Sequence, residues 1–337
     1  MRNLPRRTVM AAWVVLGVGP ALLAGCGPTS FLITPVAARQ PLTEEVVLRE
    51  GVWAPAKIAL IDVNGLLQNA EPGGLLGPGG EHPVALLAEK LKKAGGDPAV
   101  KAVVLRINSP GGGVTATDLM YEELRDFRRR TGKPVVAALL DVAASGGYYL
   151  ACAADRIHAL PTTVTGSIGV IMIAPEFAGT MRKIGMNVNV IKSGEMKDMG
   201  SLFREMSERD RAVFQGLIDG MYARFVEVVA RGRPRVPRDR LKELADGRVF
   251  LAPEAKEHGL IDEIGTLPET IQAAKAAAGL ADAKVRVVRY ARPLEYRPSI
   301  YARGDTPPGQ VNLIHVELPA WLTGLSPQLL YLWAPGW

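Results

Sequence analysis

The segment Val100-Lys-Ala-Val-Val-Leu-Arg-Ile-Asn-Ser-Pro-Gly-Gly-Gly113 decides the reading of the fold. Val100 to Ile107 is a mostly apolar run of strand length, the pattern of a strand buried on both faces, and a glycine-bearing segment closes it. Ala116 to Arg130 then carries a helical period, and Val135 to Leu140 is a second buried run. On the other side, Lys57 to Val63 (KIALIDV) reads as a strand and Val84 to Ala94 as an amphipathic helix. Strands alternating with helices predict a mainly parallel sheet within one α/β domain.

The alternation continues outward. A short helix is expected after Gly147, a strand near Ile157, a helix from Phe177 to Ile184 and a strand from Val188 to Ile191. Glu208 to Ala230 reads as a long helix with Val213, Leu217, Met221 and Phe225 on its apolar side. The glycine- and proline-rich stretch from Asn69 to Gly80 reads as a loop.

The first residues have the layout of an export signal: basic Arg2, Arg6 and Arg7, an apolar run from Val9 to Ala24, then Leu23-Ala24-Gly25-Cys26. The run is shorter than the roughly 20 residues needed to span a bilayer. Leu-Ala-Gly-Cys resembles the bacterial lipobox, which implies a lipidated Cys26 and a chain tethered outside the cytoplasm. The expected organisation is a signal peptide at 1–25, a linker at 26–55, one catalytic domain at 56–280 and a C-terminal extension at 281–337. That extension, with Trp321, Trp333 and Trp337, is expected to contact a neighbouring copy or the membrane.

Composition narrows the function classes. With 48% hydrophobic and 22% charged residues among 337, the chain is too apolar for disorder. Its formal charge of +6 falls to +3 without the three leader arginines, too little for a nucleic-acid partner. The arginines between Arg231 and Arg240 read as a solvated helix end and loop. Two cysteines exclude a disulfide scaffold and a multi-cysteine zinc site. Cys152, in an apolar stretch, reads as a core residue.

Three glycine-bearing loops follow strands: Asn108–Gly113, Ala144–Tyr148 and Thr165–Gly169. Ligands of open α/β sheets bind beyond the carboxyl ends of the strands, so these loops are expected to line one crevice. Gly113-Val114-Thr115 lacks the Gly-Lys-Ser/Thr ending of a phosphate cradle. Glycines also let backbone N–H groups approach a developing oxyanion. Ser145, between a buried strand and a helix N-terminus, is the candidate nucleophile. None of the four histidines (His82, His158, His258, His315) sits in such a loop to act as its base. A buried neutral lysine is the remaining option, and Lys197 in Ser193–Ser201 is the candidate.

Taken together, Arg106–Gly113, Ala144-Ser-Gly-Gly-Tyr-Tyr149, Thr165-Gly-Ser-Ile-Gly-Val170 and Gly194-Glu-Met-Lys-Asp-Met-Gly-Ser201 resemble the four blocks of the signal peptide peptidase A (protease IV) family. Gly247-Arg-Val-Phe250 and Gly259-Leu-Ile-Asp262 extend the resemblance, which covers roughly Lys57 to Ala278. It implies a crotonase-like (ClpP-like) fold of stacked ββα units and a serine endopeptidase cleaving hydrophobic peptides such as residual signal peptides. It also implies Ser145 as nucleophile, Lys197 as base, Gly112 and Gly146 as oxyanion donors and Ser167 as the hydroxyl that orients the lysine. No metal or other cofactor is implied. A ring or dome of copies is expected, with Ser145 of one chain served by Lys197 of the next. Leu202 departs from the proline common after Gly-Ser in the family. The rival readings are a non-catalytic lipoprotein scaffold and an acyl-CoA enzyme of the crotonase superfamily.

Overall fold

Buried on both faces, the apolar runs become the inner strands of one mixed sheet. The computed structural model describes residues 41–70, 81–293 and 328–333. Their strands are β1 (Thr43–Arg49), β2 (Ala56–Leu67), β3 (Val100–Gly113), β4 (Val135–Ala144), β5 (Arg156–Ala159), β6 (Val164–Gly166), β7 (Ile171–Ile173), β8 (Val249–Leu251), β9 (Glu263–Ile264), β10 (Val285–Ala291) and β11 (Gln328–Leu332). The helices are α1 (Pro83–Gly96), α2 (Val114–Thr131), α3 (Gly146–Ala151), α4 (Ala178–Lys183), α5 (Glu208–Gly232), α6 (Arg238–Leu244), α7 (Ala252–Glu257) and α8 (Leu267–Ala277). The signal segment, Cys26, residues 71–80 and residues 294–327 lie outside the described residues.

The alternation within β2 sets the layers. Ile58 and Leu60 face a cluster with Leu267, Ile271 and Ala274 of α8, whereas Ala59, Ile61 and Val63 face the main core with α1, α2, α3 and α5. Covered on both sides, the strand has no polar face, hence its continuous apolar sequence.

The main path through the sheet is β1-β10-β2-β3-β4-β5-β9. Along it, β1 is antiparallel to β10 and the remaining neighbours run parallel. At their carboxyl ends β3 and β4 part. Gly111–Gly113 of β3 pair with β11, and Val142–Ala144 of β4 pair with β6. The fork opens where Ser145 follows β4.

Four expectations need correction. The boundaries drawn at 55/56 and 280/281 cut through this sheet, since β1 precedes the first and β10, which lies between β1 and β2, follows the second. Asn108–Gly113 is not a loop but the end of β3, because β2 and β11 supply pairing partners on its two sides. No strand forms at Val188–Ile191, where Val188, Val190 and Ile191 are exposed and have no pairing partner among the described residues. On α5 the buried side is Phe214, Phe225, Val228 and Val229, while Val213 and Leu217 face outward.

Candidate active site

The turn from β4 to α3 places Ser145. Its backbone adopts φ +51° and ψ −115°, and Ser167 at φ +50° is the other described non-glycine residue at positive φ. Such conformations cost on the order of 1–3 kcal/mol and persist only where the surroundings fix them. Here the Ser145 amide donates to the Gly166 carbonyl at 2.8 Å, and its own carbonyl accepts from the Tyr149 amide at 2.9 Å. The Ser167 amide donates to Arg248 O at 2.8 Å. Both serines are buried, and neither hydroxyl has a hydrogen bond among the described residues.

Two tyrosines anchor the helix behind Ser145. The Tyr148 hydroxyl donates to Leu260 O at 2.8 Å, and that of Tyr149 donates to the Asp118 carboxylate. Burial, followed by the neighbouring Asp118, pushes the Tyr149 phenol well above its ordinary range, so it stays a neutral donor. Its ring stacks on Tyr331 of β11 at 5.2 Å and meets Phe225 edge-on at 5.0 Å.

The glycine segment reaches Ser145 from the β3 side. Ser109 Oγ donates to Gly65 O at 2.7 Å and accepts from the Gly111 amide at 3.1 Å, pinning the chain before its last glycines. Gly111, at φ +106°, approaches so closely that its added Cβ would lie 2.8 Å from Gly146 N and run into the Tyr331 carbonyl. It is therefore Gly111 that abuts Gly146, while Gly112 lies between the main chains of Leu67 and Tyr331. Along this edge β11 runs antiparallel, with Leu330, Tyr331 and Leu332 opposite Gly113, Gly112 and Gly111, and the Trp333 amide donates to Pro110 O at 2.8 Å. Tyr331 is fully buried. No local sequence signal marks this pairing, because β11 lies far along the chain, beyond the recognisable blocks.

Lys197 stands apart from this cluster. It lies on a short 3-10 helix (Glu195–Asp198), is exposed, and its amine has no hydrogen-bond or ion-pair partner among the described residues. Adjacent Asp198 accepts from Lys192 at 2.8 Å and Arg204 at 3.0 Å, which hold its carboxyl below the usual range, so its charge is directed away from Lys197. The structure thus brings Ser145, Gly146, Gly111 and Gly112 together, with Ser167 directly after the β6 strand that pairs with β4, and leaves Lys197 outward.

The remaining sequence candidates have structural places, apart from His315, which lies outside the described residues. Cys152 is buried and burial pushes its thiol up to about 12, which leaves it unreactive. His82 caps α1, accepting from the Ala85 amide, His258 packs edge-on to Phe250, and His158 is buried. Of the arginines after α5, Arg233 is buried against Asp262 at 2.8 Å, whereas Arg231, Arg238 and Arg240 make exposed pairs. Among the described residues no group of acidic, histidine and cysteine side chains is suited to a metal, and no helix is long and apolar enough to cross a membrane.

A strained serine at a strand end stands beside close-packed glycine backbone in a forked, mainly parallel α/β sheet, and the relatives of this chain identify the class as a serine peptidase on a crotonase-like (ClpP-like) fold. Residues 127–281 match peptidase family S49. The chain is 37% identical over 244 residues to a "Putative signal peptide peptidase SppA" of Enterococcus faecium, covering 72% of this chain and 70% of that protein. It is 35% identical over 221 residues to "Protease 4" of Haemophilus influenzae, covering 66% of this chain and 35% of the relative. It is 36% identical over 246 residues to "Serine protease SPPA, chloroplastic" of Arabidopsis thaliana, covering 72% and 36% respectively. The chain thus spans about a third of these last two relatives. It belongs to the S49, signal peptide peptidase A family, and is a serine peptidase.

Proposed function

We propose that the chain is a membrane-tethered endopeptidase that cleaves extended hydrophobic peptides, residual signal peptides among them, with Ser145 as nucleophile and Lys197 as base. The Lys197 amine takes the Ser145 hydroxyl proton as Oγ attacks the scissile carbonyl. The amides of Gly112 and Gly146 hold the oxyanion, and Ser167 orients the lysine amine. Collapse of the tetrahedral intermediate breaks the C–N bond, and Lys197 returns the proton to the leaving amine. Water then releases the acyl group by the same route.

The observation that carries the peptide reading is β11. An extended Leu-Tyr-Leu segment lies antiparallel on Gly111–Gly113, beside Ser145, as a peptide recognised by strand addition would lie. Lys197 enters such a site from another copy of the chain. Supporting this are its exposure and the apolar residues carried outward near it, including Ile184, Met186, Val190 and Ile191, a surface suited to a homo-oligomeric contact. A lipidated Cys26 would hold the assembly on the outer side of a bacterial cell membrane. The test is hydrolysis of a fluorogenic apolar peptide by the purified full chain. Wild-type protein is expected to turn it over, and Ser145→Ala and Lys197→Ala each to fall to background. A fully active Ser145→Ala would remove Ser145 from the mechanism.

A further inference from the structure

A threonine inside a helix ordinarily satisfies its hydroxyl on the carbonyl one turn back. Thr117, in the first part of α2, does not. Its side chain is fully buried, and Oγ1 has no hydrogen-bond partner among the described residues. The oxygen lies instead against the residue that follows the nucleophile, 2.7 Å from where a Cβ on Gly146 would stand. The same point is 3.1 Å from Gly111 Cα and 3.2 Å from the Tyr331 carbonyl oxygen. Dry, unpaired hydroxyls are costly and uncommon, and one directed into a site is explained by a partner that arrives with the ligand. The start of α2 reinforces the demand for negative charge. This is the N-terminus of an 18-residue helix, and its N-cap, Gly113, supplies no side-chain acceptor.

We propose that the Thr117 hydroxyl is a further oxyanion donor, hydrogen-bonding the carbonyl oxygen of the peptide under attack. The proposal rests on the assignment of Ser145 as nucleophile. As Ser145 Oγ bonds to the carbonyl carbon, the π pair moves onto the carbonyl oxygen, which lies over Gly146 where the Tyr331 carbonyl passes in the free chain. Thr117 donates a hydrogen bond to that oxygen and keeps its proton. When the C–N bond breaks, the carbonyl re-forms and the hydrogen bond weakens. The interaction is strongest in the transition state, so its loss falls on kcat rather than on KM.

The test compares Thr117→Val, Thr117→Ser and Ser145→Ala in the full chain with a fluorogenic apolar peptide. Thr117→Val is expected to lose about 10- to 100-fold in kcat, with KM changed by less than about 2-fold. Thr117→Ser, which keeps the hydroxyl, is expected to stay within about 3-fold of wild type. Binding of a peptide boronate, whose adduct with Ser145 copies the tetrahedral oxyanion, should weaken in parallel for Thr117→Val but not for Thr117→Ser, and should be lost in Ser145→Ala. The melting temperature of Thr117→Val should equal or exceed that of wild type, because the substitution removes an unpaired buried hydroxyl. Wild-type kcat in Thr117→Val overturns the proposal, as does equal impairment of the Val and Ser variants with a lowered melting temperature. With Ser145→Ala inactive, either result rejects the Thr117 role alone. A fully active Ser145→Ala rejects the nucleophile assignment, and the Thr117 proposal with it.

Discussion

The amide of Ser145 donates to the carbonyl of Gly166 at 2.8 Å, so the nucleophile candidate hangs from the residue that precedes Ser167. Gly166 has φ +84°, and a Cβ added there would meet Phe250 Cδ2 at 2.6 Å. Gly166→Ala is therefore strained in backbone and crowded in packing, for an expected loss of about 2–4 kcal/mol. Peptidase activity should fall further than the folded fraction does, because the displaced carbonyl releases Ser145. Denaturant melts read beside kcat of the folded fraction check this, and proportional losses would show that the contact holds the fold without setting the serine.

Ser145 itself is strained, and the strain separates two inactive variants. Both Ser145→Ala and Ser145→Gly lack the nucleophile. Only glycine tolerates φ +51° without a Cβ penalty. Ser145→Gly is expected to be about 1 kcal/mol more stable than Ser145→Ala, measured by urea melts of the two proteins. Equal stabilities would mean that this backbone is not strained.

Tyr331 fixes β11 in the groove: its ring is fully buried between Tyr149 and Phe225, and its hydroxyl donates to Met221 O at 2.8 Å. Tyr331→Ala removes most of that anchor, a loss of about 3 kcal/mol by analogy with buried aromatic truncations. The strand should then leave Gly111–Gly113, and KM for an apolar peptide should fall. Faster proteolytic clipping near residue 328 together with the lower KM is the expected pair of readouts, and an unchanged KM would separate β11 from the peptide groove.

These residues differ in how far the sequence reveals them. Ser145 is legible because a buried strand, a serine, two glycines and a helix start occur consecutively, and local geometry does the rest. The end of β3 is not. Pro110 and three glycines are poor strand formers, and they become a strand only because Leu66 and Leu67 pair on one side and Leu330–Leu332 on the other. Likewise β1 and β10 join residues 43–49 to 285–291, a pairing that no local period encodes. Thr117 carries no motif of its own, and its unpaired hydroxyl exists only in three dimensions.

His158 makes the fold sensitive to acid. It is buried, both ring nitrogens have no partner among the described residues, and burial, helped by Arg156, lowers its pKa despite the opposing pull of Glu263, Asp262 and Glu269. Because the folded state favours the neutral ring, this contribution to stability is present above the unfolded value of about 6.5 and is lost as pH falls below it through the lower folded value. His158→Leu should flatten that part of the profile, so that the gap between melting temperatures at about pH 7.5 and pH 5.5 narrows relative to wild type. An identical gap in both proteins would assign the acid sensitivity elsewhere.

Ser145 is buried and Lys197 is exposed within one chain, and this contrast yields the sharpest test of how the site is completed. If the base comes from a neighbouring copy, a mixed assembly of Ser145→Ala and Lys197→Ala chains contains junctions where an intact serine meets an intact lysine. For random mixing at equal ratio, about a quarter of junctions are complete, so activity should recover to roughly a quarter of wild type per site, from two preparations that are each inactive because serine and base act as one unit. Exchange is established first with differently labelled chains. Recovery that scales with the product of the two mole fractions would fit a base supplied between copies. No recovery after proven exchange would instead require the segment carrying Lys197 to fold back onto Ser145 of its own chain.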